Sequence, residues 1–225
     1  MLVQEWMTKD VITITAETSM MKASRLMKDK KIRRLPVVDE EKRVIGIISD
    51  RDVKDASPSK ATTLDMHELY YLLSELKVKD IMTKNPVCAK PGDSVEVVSL
   101  ILMERGFGGM PVVDDDNKIL GIITGDDIFH VLVAITGVKS GGMQFAFELS
   151  TTPGSLRPVL DALREYSAGI VSVLTSQDSA DAPTRRVYIR IRPMEADKAA
   201  TLVEHMKTGF TSLLYWEPGY KGNTE

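Results

Sequence analysis

Leu35-Pro36-Val37-Val38-Asp39 leads through the polar stretch 40–43 into Val44-Ile45-Gly46-Ile47-Ile48-Ser49-Asp50-Arg51-Asp52. Two β-rich runs around a polar turn predict a hairpin, and the acidic residues after Ser49 predict a helix start. The pattern returns 75 residues later as Met110-Pro111-Val112-Val113-Asp114 and Ile119-Leu120-Gly121-Ile122-Ile123-Thr124-Gly125-Asp126-Asp127. Working outward, Met7-Thr8-Lys9 recurs as Met82-Thr83-Lys84 at the same offset. Residues 3–53 overlay 78–128 without a gap, with 14 identities in 51 positions. A register held over that length marks duplication of one structural unit.

Each copy predicts the same elements. A short strand (Val11–Ile14, Val87–Ala89) precedes the helix-start signals Thr18-Ser19 and Asp93-Ser94. The helices that follow place Met20, Ala23, Leu26 and Met27, or Val95, Val98, Ile101 and Leu102, on one face. The hairpin and a second helix complete a β-α-β-β-α unit, too small to bury a sufficient core alone. Two such units sharing a core about a pseudo-two-fold axis are expected. Between them, Leu69, Leu72, Leu73 and Leu76 predict a packing helix over 67–76.

The texture changes after Val138-Lys-Ser-Gly-Gly142, which reads as a linker. Met143–Leu149 alternates as a strand, Leu156–Ser167 reads as a helix, and Ile170–Thr175 and Arg186–Arg192 as strands. A helix over Glu195–Lys207 and a strand over Phe210–Trp216 follow. The order β-α-β-β-α-β is ferredoxin-like, so the fold class is α/β (α+β). The expected domains are residues 1–138 (repeat one 1–56, connector 57–77, repeat two 78–138) and 143–218.

Composition narrows the function classes. The chain has 225 residues, a net charge of −3 and 43% hydrophobic residues. No apolar run approaches the ~20 residues of a membrane span, and the N-terminus lacks the pattern of a signal peptide. The single cysteine, Cys88, cannot form an intramolecular disulfide, so a cytoplasmic protein is expected. Residues 1–60 carry a basic excess of three and residues 78–140 an acidic excess of three. Neither is the footprint of a nucleic-acid binder, and no membrane partner is expected.

The Ser49-x-x-Asp52 and Thr124-x-x-Asp127 spacings place a hydroxyl and a carboxylate at the start of a helix. Free N–H groups and the helix dipole there favour an anion, and a carboxylate one turn on can accept bonds from a ribose diol. The alternative is plain N-capping. The copies differ nearby: Arg33, Arg34 and Arg51 stand where the second copy has Gly108, Gly109 and Asp126. The first site is therefore the anion-tolerant one, unless these arginines only face solvent. An Asp114-Asp115-Asp116-Asn117 run resembles a calcium-loop fragment, but its place in a hairpin turn and missing downstream Glu favour a solvated turn. His67, His130 and His205 lack paired ligand spacing, so no metal is expected. No Walker loop or nucleophile elbow occurs, so no enzyme and no catalytic residue is expected.

The Leu-Pro-Val-Val-Asp and Gly-Ile-Ile-Ser-Asp-Arg-Asp runs, repeated in register, resemble a tandem pair of CBS domains, a Bateman module. The resemblance implies phosphate and ribose contacts at Ser49, Asp52, Thr124 and Asp127. It also implies adenine contacts at Ile12, Thr13, Leu35 and Pro36 in one site, and at Val87, Cys88, Met110 and Pro111, beside Gly109, in the other. AMP, ADP, ATP or S-adenosylmethionine would serve as a regulatory ligand, not a cofactor, and a homodimer is implied. The last third resembles an ACT domain through its order and its Pro153-Gly154-Ser155-Leu156 turn. Thr152, Pro153, Gly154 and Ser155 could present donors to a carboxylate ligand, or only close the turn. The whole order, with Arg51-Asp-Val-Lys-Asp-Ala-Ser-Pro-Ser59, is similar to the acetoin utilisation (AcuB) family. That resemblance implies a regulator in acetoin or acetate metabolism with an unknown protein target. A module that only mediates protein–protein interaction is the alternative.

Overall fold

The computed structural model describes residues 1–56 and 75–218. The expected connector helix over 67–76 falls almost wholly outside them. The chain divides into two compact units, one from Met1 to Phe129 and one from His130 onward.

In the first unit the two repeats fold alike. Helix α1 spans Val3–Trp6, α2 Met20–Lys30, strand β1 Arg34–Val38, β2 Val44–Ser49 and α3 Asp50–Asp55. The second copy gives α4 Val78–Ile81, β3 Thr83–Lys84, α5 Val95–Arg105, β4 Gly109–Val113, β5 Ile119–Thr124 and α6 Gly125–Thr136. Matching residues set matching ends. Ser19 Oγ accepts from Lys22 N, and Ser94 Oγ accepts from Val97 N, both at 3.3 Å. The helices close on left-handed residues, Lys31 and Gly106. Each hairpin turn is drawn tight by an aspartate. Asp39 Oδ1 accepts from the Glu41 and Arg43 amides, and Asp114 Oδ1 from the Asp116 and Lys118 amides. The Asp114–Asn117 run is thus a turn that uses its own backbone donors.

The hairpins β1–β2 and β4–β5 are antiparallel, with the same register slip at Val37/Val38 and Val112/Val113. The helix faces bury Met20, Ala23 and Met27 in one copy, and Val95, Val98 and Leu102 in the other. The strands expected over Val11–Ile14 and Val87–Ala89 shrink to single parallel bridges, Ile14 to Val37 and Ala89 to Val112. Only the last residue of each run reaches the neighbouring strand and exchanges backbone hydrogen bonds there.

The lead-in segments cross over between the copies. Thr8 exchanges both backbone hydrogen bonds with Ile122 of β5, at 2.9 and 3.0 Å. In the symmetric place, β3 (Thr83–Lys84) pairs with Ile47 and Gly46 of β2. A glycine admits each crossing. A Cβ on Gly46 would stand 2.4 Å from Met82 Sδ, and one on Gly121 would stand 2.7 Å from the Thr8 carbonyl oxygen. The turns also meet, Val44 N donating to Asn117 O and Ile119 N to Lys42 O. Val38, Val44 and Val113 form a small cluster where the hairpins join.

The second unit contains β6 Met143–Ser150, α7 Arg157–Glu165, β7 Ile170–Ser176, β8 Thr184–Ile191, α8 Ala196–Gly209 and β9 Leu213–Pro218. Its sheet runs β7-β8-β6-β9, fully antiparallel, which is the ferredoxin-like arrangement. Phe145, Phe147 and Leu149 with Val187, Ile189 and Ile191 form the covered face against Val159, Leu163, Leu202 and Met206. The last strand begins at Leu213 rather than at the expected Phe210. Phe210 instead caps α8 and sets its ring edge-on to Phe147, 5.9 Å between centroids. The boundary between the units lies inside α6, earlier than the Gly-rich stretch 138–142 suggests. The Thr136 carbonyl accepts from Ser172 Oγ at 3.0 Å and from Arg190 Nε at 3.1 Å, which ties the last turn of α6 to the second sheet.

Candidate functional site

The start of α3 follows directly from β2. Ser49 ends the strand, and its side chain turns back onto the first helical turn. Ser49 Oγ and Ser49 N both donate to Asp52 Oδ2 at 2.7 Å, and Asp52 N donates to Ser49 Oγ at 3.3 Å. Thr124 and Asp127 repeat the arrangement at 2.7, 2.7 and 3.4 Å. Both pairs are therefore capping boxes in this state of the protein. The second carboxylate oxygen, Oδ1, lies outside both boxes.

Each box opens onto a cleft. The larger, about 830 Å3, brings Ser49, Asp52, Arg51 and Lys54 together with Val87, Pro86, Phe107, Gly108, Gly109 and Pro111. The smaller, about 320 Å3, brings Thr124, Asp126 and Asp127 together with Thr8, Val11, Ile12 and Lys31. Both volumes fall in the range of small-molecule sites. The grouping differs from that read in the sequence, where each site drew on one repeat. Here Ser49 and Asp52 face Val87, Gly109 and Pro111 of the other copy, and Thr124 and Asp127 face Ile12. The crossed lead-in segments are the cause, because each carries its strand stub to the helix start of the opposite repeat.

Several nominated residues line neither cleft. Leu35 and Met110 are buried in the core, at 0% and 1% exposure, and Pro36 is buried as well. Thr13 is half-buried. Cys88 Sγ donates to the Pro86 carbonyl at 3.4 Å, and burial pushes its thiol up, which leaves it a poor nucleophile.

Charge divides the clefts. The larger has Arg33, Arg34, Arg51 and Lys54 against Asp50, Asp52 and Asp55. The smaller has Lys31, Arg33 and Arg34 against Asp10, Asp126 and Asp127. Lys54 Nζ donates to Asp50 Oδ2 at 2.9 Å, and this bond holds the Asp50 carboxyl below its ordinary range. Arg33 and Arg34 therefore belong to both clefts, not to the first alone. Burial draws the Arg34 guanidinium below its ordinary value, and Asp50 and Asp126 work against that shift. Sequence reasoning missed Lys31, Lys54, Thr8 and Phe107. The glycines recurring at 46 and 121, where only a crossing chain needs the space, were the available signal.

The Thr152–Ser155 turn lines neither cleft. Ser155 Oγ donates to the Ser150 carbonyl at 2.6 Å, Thr152 N donates to Ser150 Oγ at 3.1 Å, and Gly154 takes a φ of +89°. Among the described residues no group of His, Cys, Asp or Glu is arranged to hold a metal. No described helix is long and apolar enough to cross a membrane.

Comparison with known proteins places this geometry. A family model described as "CBS domain" matches residues 3–59 and 78–134. Inosine-5'-monophosphate dehydrogenase of Methanocaldococcus jannaschii is 38% identical over 120 residues, 53% of this chain but only 21% of that protein. The chain thus matches about a fifth of that curated relative. The solved structure of CBSX2 in complex with AMP is 30% identical, with a TM-score of 0.50, and the match covers 60% of this chain and 98% of that one. A putative acetoin utilization protein (AcuB) from Vibrio cholerae shares the fold at 24% identity and a TM-score of 0.52, over 62% of this chain and 95% of that one. With matching units on both halves of the first compact unit, the chain belongs to the CBS-domain family.

Proposed function

We propose that this chain is a non-catalytic regulatory protein whose CBS pair binds an adenine nucleotide or another adenosyl ligand. The observation that carries the reading is the 830 Å3 cleft, in which the Ser49–Asp52 box, four cationic side chains and the Ile47, Val87 and Pro111 wall converge. A phosphate suits the Arg51 and Lys54 side, a ribose the free oxygen of Asp52, and a planar base the apolar wall. The solved complex of a family member with AMP supports the ligand class. Site residues are proposed as Ser49, Arg51 and Asp52 with Val87, Gly109 and Pro111 in the larger cleft, and Ile12 with Thr124, Asp126 and Asp127 in the smaller. The ligand acts by differential affinity for two arrangements of the protein. In this reading the second unit is an ACT-like relay to a protein target in acetoin or acetate metabolism of the cytoplasm, and the sequence's similarity to the AcuB family is what supports it. The Thr152–Ser155 turn, bonded onto itself, closes the fold there.

A second reading, an oligomerisation module without a ligand, draws on α5. Its outer face exposes Val97, Leu100 and Met103, at 55%, 47% and 75%. Large exposed apolar surface marks a contact site, and a homodimer through this face is compatible with either reading. Thermal unfolding with AMP, ATP or S-adenosylmethionine separates them, because a ligand specific to the folded state raises the melting temperature. The regulatory reading expects a rise with at least one of the three. No rise with any of them contradicts it and leaves the second reading.

A further inference from the structure

Arg34 stands at the junction of the two clefts. It begins β1, opposite Ser49, and lines the larger cleft with Asp50 and the smaller one with Asp126. Its long side chain lies across the second copy. A Cβ on Gly108 would stand 1.4 Å from Arg34 Nη2, and one on Gly109 would stand 3.4 Å from Arg34 Cδ. The pseudo-symmetric partners of Arg33 and Arg34 are those same two glycines, so no matching pair of arginines comes back from the other side. The glycines leave the seat that the guanidinium fills. Carboxylates of both clefts act on this group, Asp50 from one side and Asp126 from the other.

We propose that Arg34 is one cation shared by two clefts, so that a phosphate-bearing ligand in either cleft weakens the binding of a second in the other. The inference rests on the ligand class proposed above. A phosphate in the larger cleft draws the guanidinium toward Arg51. Arg33 also lines both clefts, so among the described residues the smaller one then keeps Lys31 as its only unshared cation against Asp10, Asp126 and Asp127, a poor place for a second anion. An uncharged adenosyl ligand makes no demand on Arg34 and escapes the coupling. The chain therefore accepts one phosphorylated and one neutral ligand together more readily than two phosphorylated ones. Site interactions of this kind are reciprocal, with coupling factors of about 5 to 150.

Calorimetric titration with AMP, and separately with adenosine, tests this. Val87→Trp fills the larger cleft and Thr8→Trp the smaller, so each variant reports one cleft's affinity with the other closed. The product of those two affinities, compared with the product of the two measured in the unaltered chain, is the coupling factor. The expected factor is about tenfold or more for AMP and near one for adenosine, falling to near one for AMP in Arg34→Gln. Should Arg34→Gln fail to fold, Gly108→Ala serves, because its Cβ takes the guanidinium's seat and keeps the charge. A factor near one for AMP in the unaltered chain overturns the proposal, as does one that Arg34→Gln or Gly108→Ala leaves unchanged. An equal factor for adenosine overturns it too. If neither AMP nor adenosine binds any of the proteins, the ligand reading and this inference fall together. Uncoupled binding at both clefts removes only the inference.

Discussion

The two CBS repeats share a backbone and differ in what lines it. Their N-caps, left-handed helix ends, aspartate-tied turns, slipped hairpins and capping boxes agree position for position. Arg33 and Arg34 against Gly108 and Gly109, and Arg51 against Asp126, differ in charge and bulk at matched places. The outer helix faces diverge as well, polar at Lys22, Arg25 and Lys28 in α2 and apolar at Val97, Leu100 and Met103 in α5. The caps, turns and crossing glycines keep the same backbone geometry in both copies, whereas the charge around the clefts and on the outer helix faces differs between them. Unequal clefts and unequal outer faces then arise on one scaffold.

The largest effect expected from breaking this comparison is on stability. Leu35→Ala and Met110→Ala empty matched core positions, and each should cost about 2–5 kcal/mol in denaturant unfolding. Similar losses support one shared core. A loss confined to one repeat would show that the copies unfold separately. Next in size is affinity. An added charge about 5 Å from a phosphate contributes at most ~3 kcal/mol at intermediate dielectric. Arg51→Ala should weaken ATP binding about tenfold, and Asp126→Arg should strengthen binding in the smaller cleft. Unchanged ATP affinity in Arg51→Ala would remove Arg51 from the site. The capping boxes come third. Asp52→Ala and Asp127→Ala should each lower stability by about 1 kcal/mol, equally in the two repeats, by thermal unfolding. The smallest effect is chemical. Burial raises the Cys88 thiol, so less thiolate is present at pH 8, and iodoacetamide should modify it more slowly than free cysteine. Modification at the free-thiol rate would contradict the buried placement.

Most of the scaffold was legible in the sequence, because the signals that build it are local. Ser19 and Ser94 mark helix starts, Asp39 and Asp114 mark turns, and apolar spacing marks the buried helix faces, all within a few residues. The ferredoxin-like order of the second unit follows from the same periodicities, and only ends such as Phe210 moved when packing claimed the side chain. The clefts were half legible. Ser49, Asp52, Thr124 and Asp127 lie where their spacing puts them, at helix starts that open on a cavity. The clefts group them with residues of the opposite repeat, where the sequence reading draws each site from a single repeat. Composition and periodicity carry no information about which repeat a lead-in strand joins, since both choices satisfy the same pattern. Only the close approach at Gly46 and Gly121 distinguishes the crossed arrangement. Leu35, Pro36 and Met110 are adenine contacts by the family resemblance, yet β1 and β4 are buried on both faces from their second residue onward, so all three side chains are enclosed.

A crystal structure of the chain grown with AMP bears most directly on the account. The expected density lies in the larger cleft, with the phosphate beside Ser49 and Arg51, the ribose on Asp52, and the base against Val87 and Pro111 of the other repeat. Density held by residues of a single repeat, or clefts that stay empty at saturating AMP, would contradict it.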